Sequence, residues 1–128
     1  MRLLLDTHVA IWWINGHKDL PSDVKAMLLD SANTLHVSIV SAWEVSIKTS
    51  LGKLPEFKGG SKAFLAKLAS IPITLLPIES RHLELVETLP FIHRDPFDRL
   101  LIATAMAENM TILTADEIIK QYDVPSVW

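Results

Sequence analysis

Short apolar runs alternate with helical segments along this 128-residue chain, and the alternation restricts its possible folds more than any other feature. Short runs of this kind, without a polar face, are typical of strands buried on both sides of a parallel sheet. The pattern predicts four strands and a further edge strand, over residues 2–5, 35–40, 73–76, 110–113 and 124–128. We therefore expect an α/β fold with a parallel sheet.

Helical periodicity and stop signals fill the segments between these strands. The predicted helices cover residues 7–14, 21–31, 41–50, 61–69, 79–89, 96–108 and 115–120. The chain has the length of one ordinary domain, and its 49% hydrophobic and 21% charged residues are typical of globular proteins. We expect a single domain over residues 1–128, with ligands at the carboxyl ends of the strands, where the strand order reverses.

The composition excludes several classes of function. The chain has no cysteine, which excludes disulfides, a thiol nucleophile and thiolate metal sites. Its net charge of −3 is unlike that of proteins that hold duplex nucleic acid by phosphate contacts alone. Asp6 interrupts the first apolar run, so we expect no signal peptide. No apolar stretch is long enough for a membrane span, and the expected location is cytoplasmic.

Four acidic residues occupy similar places in the predicted pattern. Asp6 ends the first strand, and Glu44 lies in the first turn of the helix after the second strand. Asp98 lies in the first turn of the long helix, and Asp116 begins the helix after the fourth strand. Because the carboxyl ends of parallel strands share one edge, we expect these carboxylates to lie close together.

Each acid also has a plain structural interpretation. Ser41 and Glu44 have the spacing of a capping box, in which the Glu44 side chain would bind the backbone N–H of Ser41. Asp95 can cap the long helix, with a proline at the first helical position and Asp98 at the third. Asp6 can cap the helix that begins at residue 7, and Asp116 suits a helix dipole.

The expected convergence of the four acids on one place favours a catalytic role for them over helix capping alone. Asp6 follows a fully apolar run, so its side chain is expected near the core, where a lone carboxylate is costly. Several carboxylates at one place repel each other and raise their pKa values, unless a hard cation lies between them. Mg²⁺ and Mn²⁺ prefer such oxygen ligands. The pattern therefore predicts metal-assisted hydrolysis of a phosphate ester.

The four motifs together resemble the PIN domain, specifically the VapC-type toxin nuclease of toxin–antitoxin pairs. They are Leu-Leu-Asp6-Thr7-His8, Ser41-Ala-Trp-Glu44-Val, Asp95-Pro-Phe-Asp98-Arg99-Leu-Leu-Ile-Ala-Thr-Ala105 and Ile-Leu-Thr114-Ala-Asp116. They occur in order and cover essentially the whole chain. The resemblance implies a three-layer α/β/α fold with a central parallel sheet of four to five strands.

The resemblance also implies roles for particular residues. The catalytic and metal-binding acids that it implies are Asp6, Glu44 and Asp98, together with Asp116 at a more variable position of the family. The implied cofactor is Mg²⁺ or Mn²⁺. Four further residues are expected to support these acids or contact the substrate: Thr7, Thr114, Asp95 and Arg99. His8 has no assigned role.

The implied function is endonucleolytic cleavage of single-stranded or loop RNA by the toxin of a toxin–antitoxin pair. The implied partners are RNA, an inhibiting antitoxin protein and a second copy in a homodimer, with no membrane. Two alternatives stay open: a PIN-like nuclease or phosphohydrolase outside such a pair, and a silent RNA-binding module. A haloacid-dehalogenase-like phosphatase would need a second acid at residue 8, where the chain has His8.

Other conspicuous residues have structural interpretations. No zinc site is expected, because the histidines lack ligand spacing: His8, His17, His36, His82 and His93. For His93 and Arg94, a solvated loop is favoured over substrate contact. Lys48 is predicted to form an i,i+4 ion pair with Glu44. Of Trp12 and Trp13, one is expected in the core and the other partly exposed, because neighbours in a helix cannot share a face.

Overall fold

The computed structural model describes residues 1–16, 18 and 20–128, so His17 lies outside the described residues. The described residues form a five-stranded sheet of parallel pairs in the order β3–β2–β1–β4–β5. The strands are Arg2–Leu5 (β1), Thr34–Ser38 (β2), Thr74–Leu76 (β3), Thr111–Leu113 (β4) and Ser126–Val127 (β5). The predicted parallel sheet is confirmed, and its strand order reverses between β1 and β4.

Helices cover both faces of the sheet. Within the described residues they are Thr7–Ile14 (α1), Ser22–Leu29 (α2), Ile39–Ser50 (α3), Gly60–Ala69 (α4), Ser80–Val86 (α5) and Pro96–Glu108 (α6), with a 3-10 helix at Ile119–Gln121. Successive side chains of β1 enter opposite cores. Leu3 and Leu5 pack with α1, α2 and α4, whereas Leu4 packs with α6. The predicted three-layer α/β/α fold is confirmed.

The boundary between β2 and α3 differs from the prediction. The strand ends at Ser38 instead of residue 40, and α3 begins at Ile39 instead of Ser41. Ser38 is the N-cap, because its hydroxyl accepts from the backbone N–H of Val40 at 3.1 Å. A cap side chain can satisfy these first backbone donors, so the β-branched residues at 39 and 40 do not extend the strand. The capping box predicted for Ser41 and Glu44 is therefore wrong.

Three other elements are shorter than predicted. Helix α2 starts at Ser22 after Pro21, and no side chain among the described residues caps it. Helix α5 ends at Val86, followed by a turn to Leu89. The segment after β4 contains only the 3-10 helix, so Asp116 lies in a turn and does not begin an α-helix. An Asx turn forms instead, with Asp116 Oδ1 accepting from the N–H of Ile118 at 2.8 Å.

The tryptophans of α1 face different surroundings, as predicted. Trp12 packs near Trp128, with ring centroids 6.1 Å apart, whereas Trp13 borders an apolar groove with Leu28 and Ile71. Both are half-buried and pack against the core, whereas one was expected in the core and the other partly exposed. No helix among the described residues has the length and apolarity needed to cross a bilayer.

Candidate active site

The site begins where the strand order reverses, between the neighbouring strands β1 and β4. Asp6 follows β1 directly and caps α1, because its Oδ1 accepts from the N–H of Val9 at 2.8 Å. Its Oδ2 accepts from the hydroxyl of Thr114, the residue after β4, and that hydroxyl in turn accepts from the N–H of Asp116 at 3.0 Å. Thr114 is fully buried, so it fixes the Asp6 carboxylate from behind.

Helix α3 brings a second acid to the same place. Glu44 lies in the second turn of α3, and its side chain is 5% exposed. Lys48 donates from Nζ to Glu44 Oε2 at 2.5 Å, which confirms the predicted i,i+4 pair. One turn earlier, Ser41 accepts a bond of 2.9 Å from the Thr7 hydroxyl, which ties α3 to α1. Glu44 does not cap its helix, so helix capping does not explain why an acid stands at this position.

The start of α6 contributes a third acid. Asp95 is the N-cap, with Oδ1 accepting from the N–H groups of Phe97 and Asp98 at 2.9 and 3.1 Å. The cap predicted for Asp95 is confirmed, and the Asp98 side chain takes no part in capping the helix. The Asp98 Oδ2 instead lies 3.1 Å from His93 Nε2, and His93 Nδ1 lies 2.7 Å from the Tyr122 hydroxyl.

These acids line one cavity of about 270 Å³ at the carboxyl edge of the sheet. Its wall includes five acids, Asp6, Glu44, Asp95, Asp98 and Asp116, together with Thr7, His8, Trp12 and Lys48. The structure therefore brings together all four of the acids singled out by sequence, although two reach the cavity from positions that differ from the predicted ones. Thr114 lies behind the wall.

Burial and mutual repulsion shift the titration of these carboxylates. Burial raises the pKa of Asp98 to about 6, and the charges of Asp95, Glu44 and Asp116 add to the effect, while the His93 bond opposes it. Burial also raises the pKa of Asp6 against the hydrogen bonds from Thr114 and Val9. The ionised forms of these two carboxylates are therefore less stable in the cavity than they are in water.

Lys48 is the cation that borders this charge. Burial acts to lower the pKa of its ammonium, but the bond to Glu44 and the charges of Asp95 and Asp98 outweigh burial and raise it. One ammonium among five acids leaves the cavity wall with an excess of negative charge. The field at this edge of the sheet attracts cations.

Two residues differ from their expected roles. Arg99 is 5% exposed and lies outside the cavity, where it donates to the carbonyls of Val86, Leu89 and Pro90, so it does not contact a cavity acid directly. His93 is half-buried and contacts Asp98, so its favoured interpretation as a solvated loop residue is wrong. The position of His93, five residues before Asp98, could have indicated a contact between the two side chains. Nothing in the sequence indicated that Tyr122 would contact His93.

The cavity suits a hydrated divalent cation. Its donors are carboxylate oxygens, the ligands that Mg²⁺ and Mn²⁺ prefer, and Mg²⁺ keeps several of its waters in protein sites. Among the described residues, the one acid–histidine group whose ligand atoms all lie within 4.8 Å is elsewhere: Glu79, His82 and Glu108. We call it the α5–α6 cluster. The cavity acids lie further apart, which leaves room for bound water.

The acids of the α5–α6 cluster already have basic hydrogen-bond partners. Arg81 donates to Glu79 at 3.0 Å and also to Glu108, and His82 Nε2 lies 2.9 Å from Glu108. His82 Nδ1 accepts from the backbone N–H of Glu79 at 3.1 Å, which completes a capping box at the start of α5. These contacts join α5 to the end of α6 and already occupy Glu79 Oε2 and Glu108 Oε1, which an added cation would need.

Comparisons with known proteins agree with this architecture. A family profile described as the PIN domain matches residues 3–125. The fold is similar to VapBC2 from Rickettsia felis bound to a DNA fragment from their promoter, with a TM-score of 0.73, 20% identity and coverage of 99% of this chain and 98% of that chain. No curated protein matches the sequence significantly.

Two further solved structures share the fold at low identity. VapBC-1 from nontypeable Haemophilus influenzae has a TM-score of 0.65 and 15% identity, covering 99% of this chain and 97% of that chain. DNA-bound VapBC from Salmonella typhimurium has a TM-score of 0.67 and 14% identity, with the same coverage. The similarity extends over the whole chain in both cases.

Proposed function

The chain belongs to the PIN domain family, and from that premise we propose that it is a Mg²⁺- or Mn²⁺-dependent endoribonuclease. The proposed catalytic and metal-binding residues are Asp6, Glu44, Asp98 and Asp116. The observation that carries the proposal is their convergence on one cavity at the point of strand reversal. Their plain structural roles account for only part of this placement, because neither Glu44 nor Asp98 caps its helix.

Other residues around the cavity hold or orient the four proposed catalytic acids. Thr114 and the N–H of Val9 hold both oxygens of Asp6, which fixes the orientation of its carboxylate. Thr7 and Asp95 position the starts of α1 and α6 relative to the cavity. A bound divalent ion would polarise the phosphodiester and lower the pKa of a bound water. Lys48, beside Glu44, can pair with a substrate phosphate.

The substrate we propose is single-stranded or loop RNA. The net charge of −3 provides no broad basic surface for duplex phosphates. Attraction must therefore be local, through the bound cation and nearby basic side chains such as Lys48 and the exposed Arg94. Half-exposed Trp43, packed at 4.9 Å on Phe97, offers a stacking surface of the kind that single strands use.

We further propose that the chain is the toxin of a toxin–antitoxin pair, acts in the cytoplasm and forms a homodimer. The support is the sequence resemblance together with the structural similarity to three VapBC assemblies over 99% of the chain. An antitoxin protein would then be its inhibiting partner.

The first prediction concerns cleavage. The wild-type protein is expected to cut single-stranded RNA with Mg²⁺ or Mn²⁺ and to stop in EDTA. Asp6→Asn and Asp98→Asn should each lower the rate by about a thousandfold, because a ligand to the charge-stabilising ion is lost. Asn keeps the helix cap at residue 6, so the fold should survive. Gel analysis of labelled RNA and circular dichroism of each variant measure the two effects.

Glu108→Gln is the matched control, since it alters an acid in the α5–α6 cluster and not in the cavity. It should cleave at the wild-type rate. Wild-type rates in both Asp6→Asn and Asp98→Asn would show that the acidic cavity is not the active site.

A further inference from the structure

We propose that His93, held by Tyr122 and Arg99, is a positioning residue that fixes the Asp98 carboxylate for metal binding. The inference rests on the proposed function, because it takes Asp98 as a metal ligand. The family resemblance gave no role to His93 or Tyr122, and for Arg99 it implied support of the acids or substrate contact without a route. The contacts form a chain from Arg99 Nη1 to the Tyr122 hydroxyl, then to His93 Nδ1, and from His93 Nε2 to Asp98 Oδ2.

The hydrogen bonds at Tyr122 determine which nitrogen of His93 carries the proton. The Tyr122 oxygen accepts from Arg99 Nη1 at 3.2 Å and from the backbone N–H of His93 at 3.3 Å. A phenol oxygen accepts about two such bonds, so the hydroxyl proton is directed to His93 Nδ1 at 2.7 Å. His93 Nδ1 is then an acceptor, and Nε2 carries the N–H that is donated to Asp98 Oδ2.

The far end of this chain is rigid. Arg99 is 5% exposed and Tyr122 is 4% exposed. The guanidinium also donates to the carbonyls of Pro90 at 2.8 Å and Leu89 at 3.3 Å, where the segment after α5 turns back. The ring of Phe91 lies 4.4 Å from the guanidinium carbon. Arg99 therefore cannot swing toward the cavity, and its fixed charge polarises the hydroxyl and imidazole that follow it.

The consequence for Asp98 is geometric. One carboxylate oxygen, Oδ2, is occupied by His93, and the carboxylate cannot rotate without breaking that bond. Among the described residues no donor binds the other oxygen, which can therefore bind an ion in the cavity that Asp98 lines. Partners behind a metal ligand typically change metal affinity by about 10- to 100-fold when they are removed. His93 is expected to act by this route, without touching substrate.

A pair of substitutions separates the donated hydrogen bond from the bulk of the ring. Glutamine places an N–H close to the position of His93 Nε2, whereas asparagine reaches only as far as Nδ1. Calorimetric titration with Mn²⁺ should show that His93→Asn weakens binding about tenfold or more, while His93→Gln stays within about threefold of wild type. Tyr122→Phe keeps the ring packing but removes the hydroxyl, and it should weaken binding as His93→Asn does.

Asp98→Asn distinguishes failure of the proposed metal site from failure of the positioning role of His93. Wild-type Mn²⁺ affinity in Asp98→Asn would refute the metal assignment of the proposed function itself. Loss of affinity in Asp98→Asn with unchanged affinity in both His93→Asn and Tyr122→Phe would overturn the positioning role alone. Equal losses in His93→Asn and His93→Gln would also overturn it, because ring packing rather than the donated bond would then matter. If His93→Asn does not fold, Tyr122→Phe decides.

Discussion

Two clusters of acids and histidine in this molecule differ in how their charge is balanced. In the α5–α6 cluster, the hydrogen bond from His82 lowers the pKa of Glu108, with further contributions from the charges of Arg81 and Arg2. In the cavity, burial and neighbouring carboxylates raise the pKa of Asp98 to about 6. The ligand atoms lie closer together in the first cluster than in the second.

If the cavity holds a metal ion as proposed, proximity of ligand atoms is a poor guide to a metal site. In the α5–α6 cluster, Arg81 and a hydrogen bond from His82 stabilise the carboxylates, and these contacts join two helices. The cavity acids lie further apart and repel each other, although Lys48 and His8 line the same wall and His93 is bonded to Asp98. Unbalanced charge, more than short distance, marks the place where a cation would stabilise the fold.

The largest effect that tests this comparison is stabilisation by a divalent cation. Mn²⁺ at a hundredfold excess over its Kd should raise the free energy of unfolding by about 2.7 kcal/mol and the melting temperature by about 10 °C. Asp98→Asn should lose this shift in a thermal melt, and Glu108→Gln should retain it. A shift that disappears in Glu108→Gln but persists in Asp98→Asn would place the ion in the α5–α6 cluster.

A smaller effect follows from pH in the absence of metal. The pKa of Asp98 is about 6 in the folded protein, whereas the ordinary pKa of an aspartate side chain is 3.8. Between these values the folded state retains a proton that the unfolded state releases, so the contribution of Asp98 to stability is lost as pH rises from about 4 to about 6. Above about pH 6.5, Asp98→Asn should therefore be more stable than wild type by on the order of 2 kcal/mol.

Urea unfolding in EDTA at about pH 4 and about pH 7 measures this gap. Since Asn does not titrate, the variant isolates the contribution of residue 98, and the gap should shrink at the lower pH. A gap that is constant across this range would mean that the carboxylate is not destabilised by its neighbours.

The smallest effect concerns the balanced cluster. Glu108→Gln keeps an acceptor oxygen but removes the charge opposite Arg81 and His82, and it should cost about 1 kcal/mol of stability. Glu84→Gln, on the exposed side of α5, is the matched control and should change little. Urea unfolding of both variants compares them. Equal stabilities would show that the cluster does not clip α5 to α6.

The parts of the fold that depend on local sequence could be predicted. The apolar run that ends at Asp6 indicated the first strand, and the bounds of α1 and α6 agree with the prediction, including the Asp95 cap. These features follow from neighbours within one or two turns of the chain. The convergence of the acids was also predictable, because a parallel sheet places its carboxyl edges together.

The remainder depended on contacts between distant residues. The true cap of α3 is Ser38, and it could not be ranked against Ser41, a residue of the same propensity, without the strand register. Tyr122 meets His93 across 29 positions, and Glu108 meets His82 across 26. No periodicity or short motif encodes such pairs, since tertiary packing alone determines which side chains meet.

The bond between Asp6 and Thr114 spans 108 positions of the chain, and this separation has a consequence for folding. A contact between residues so far apart closes a long loop, which costs more conformational entropy than a contact between near neighbours. Thr114 and Asp116 follow β4, so they reach Asp6 only where β4 pairs with β1. Completion of the cavity therefore depends on this long-range strand pairing and not on any local segment of the chain.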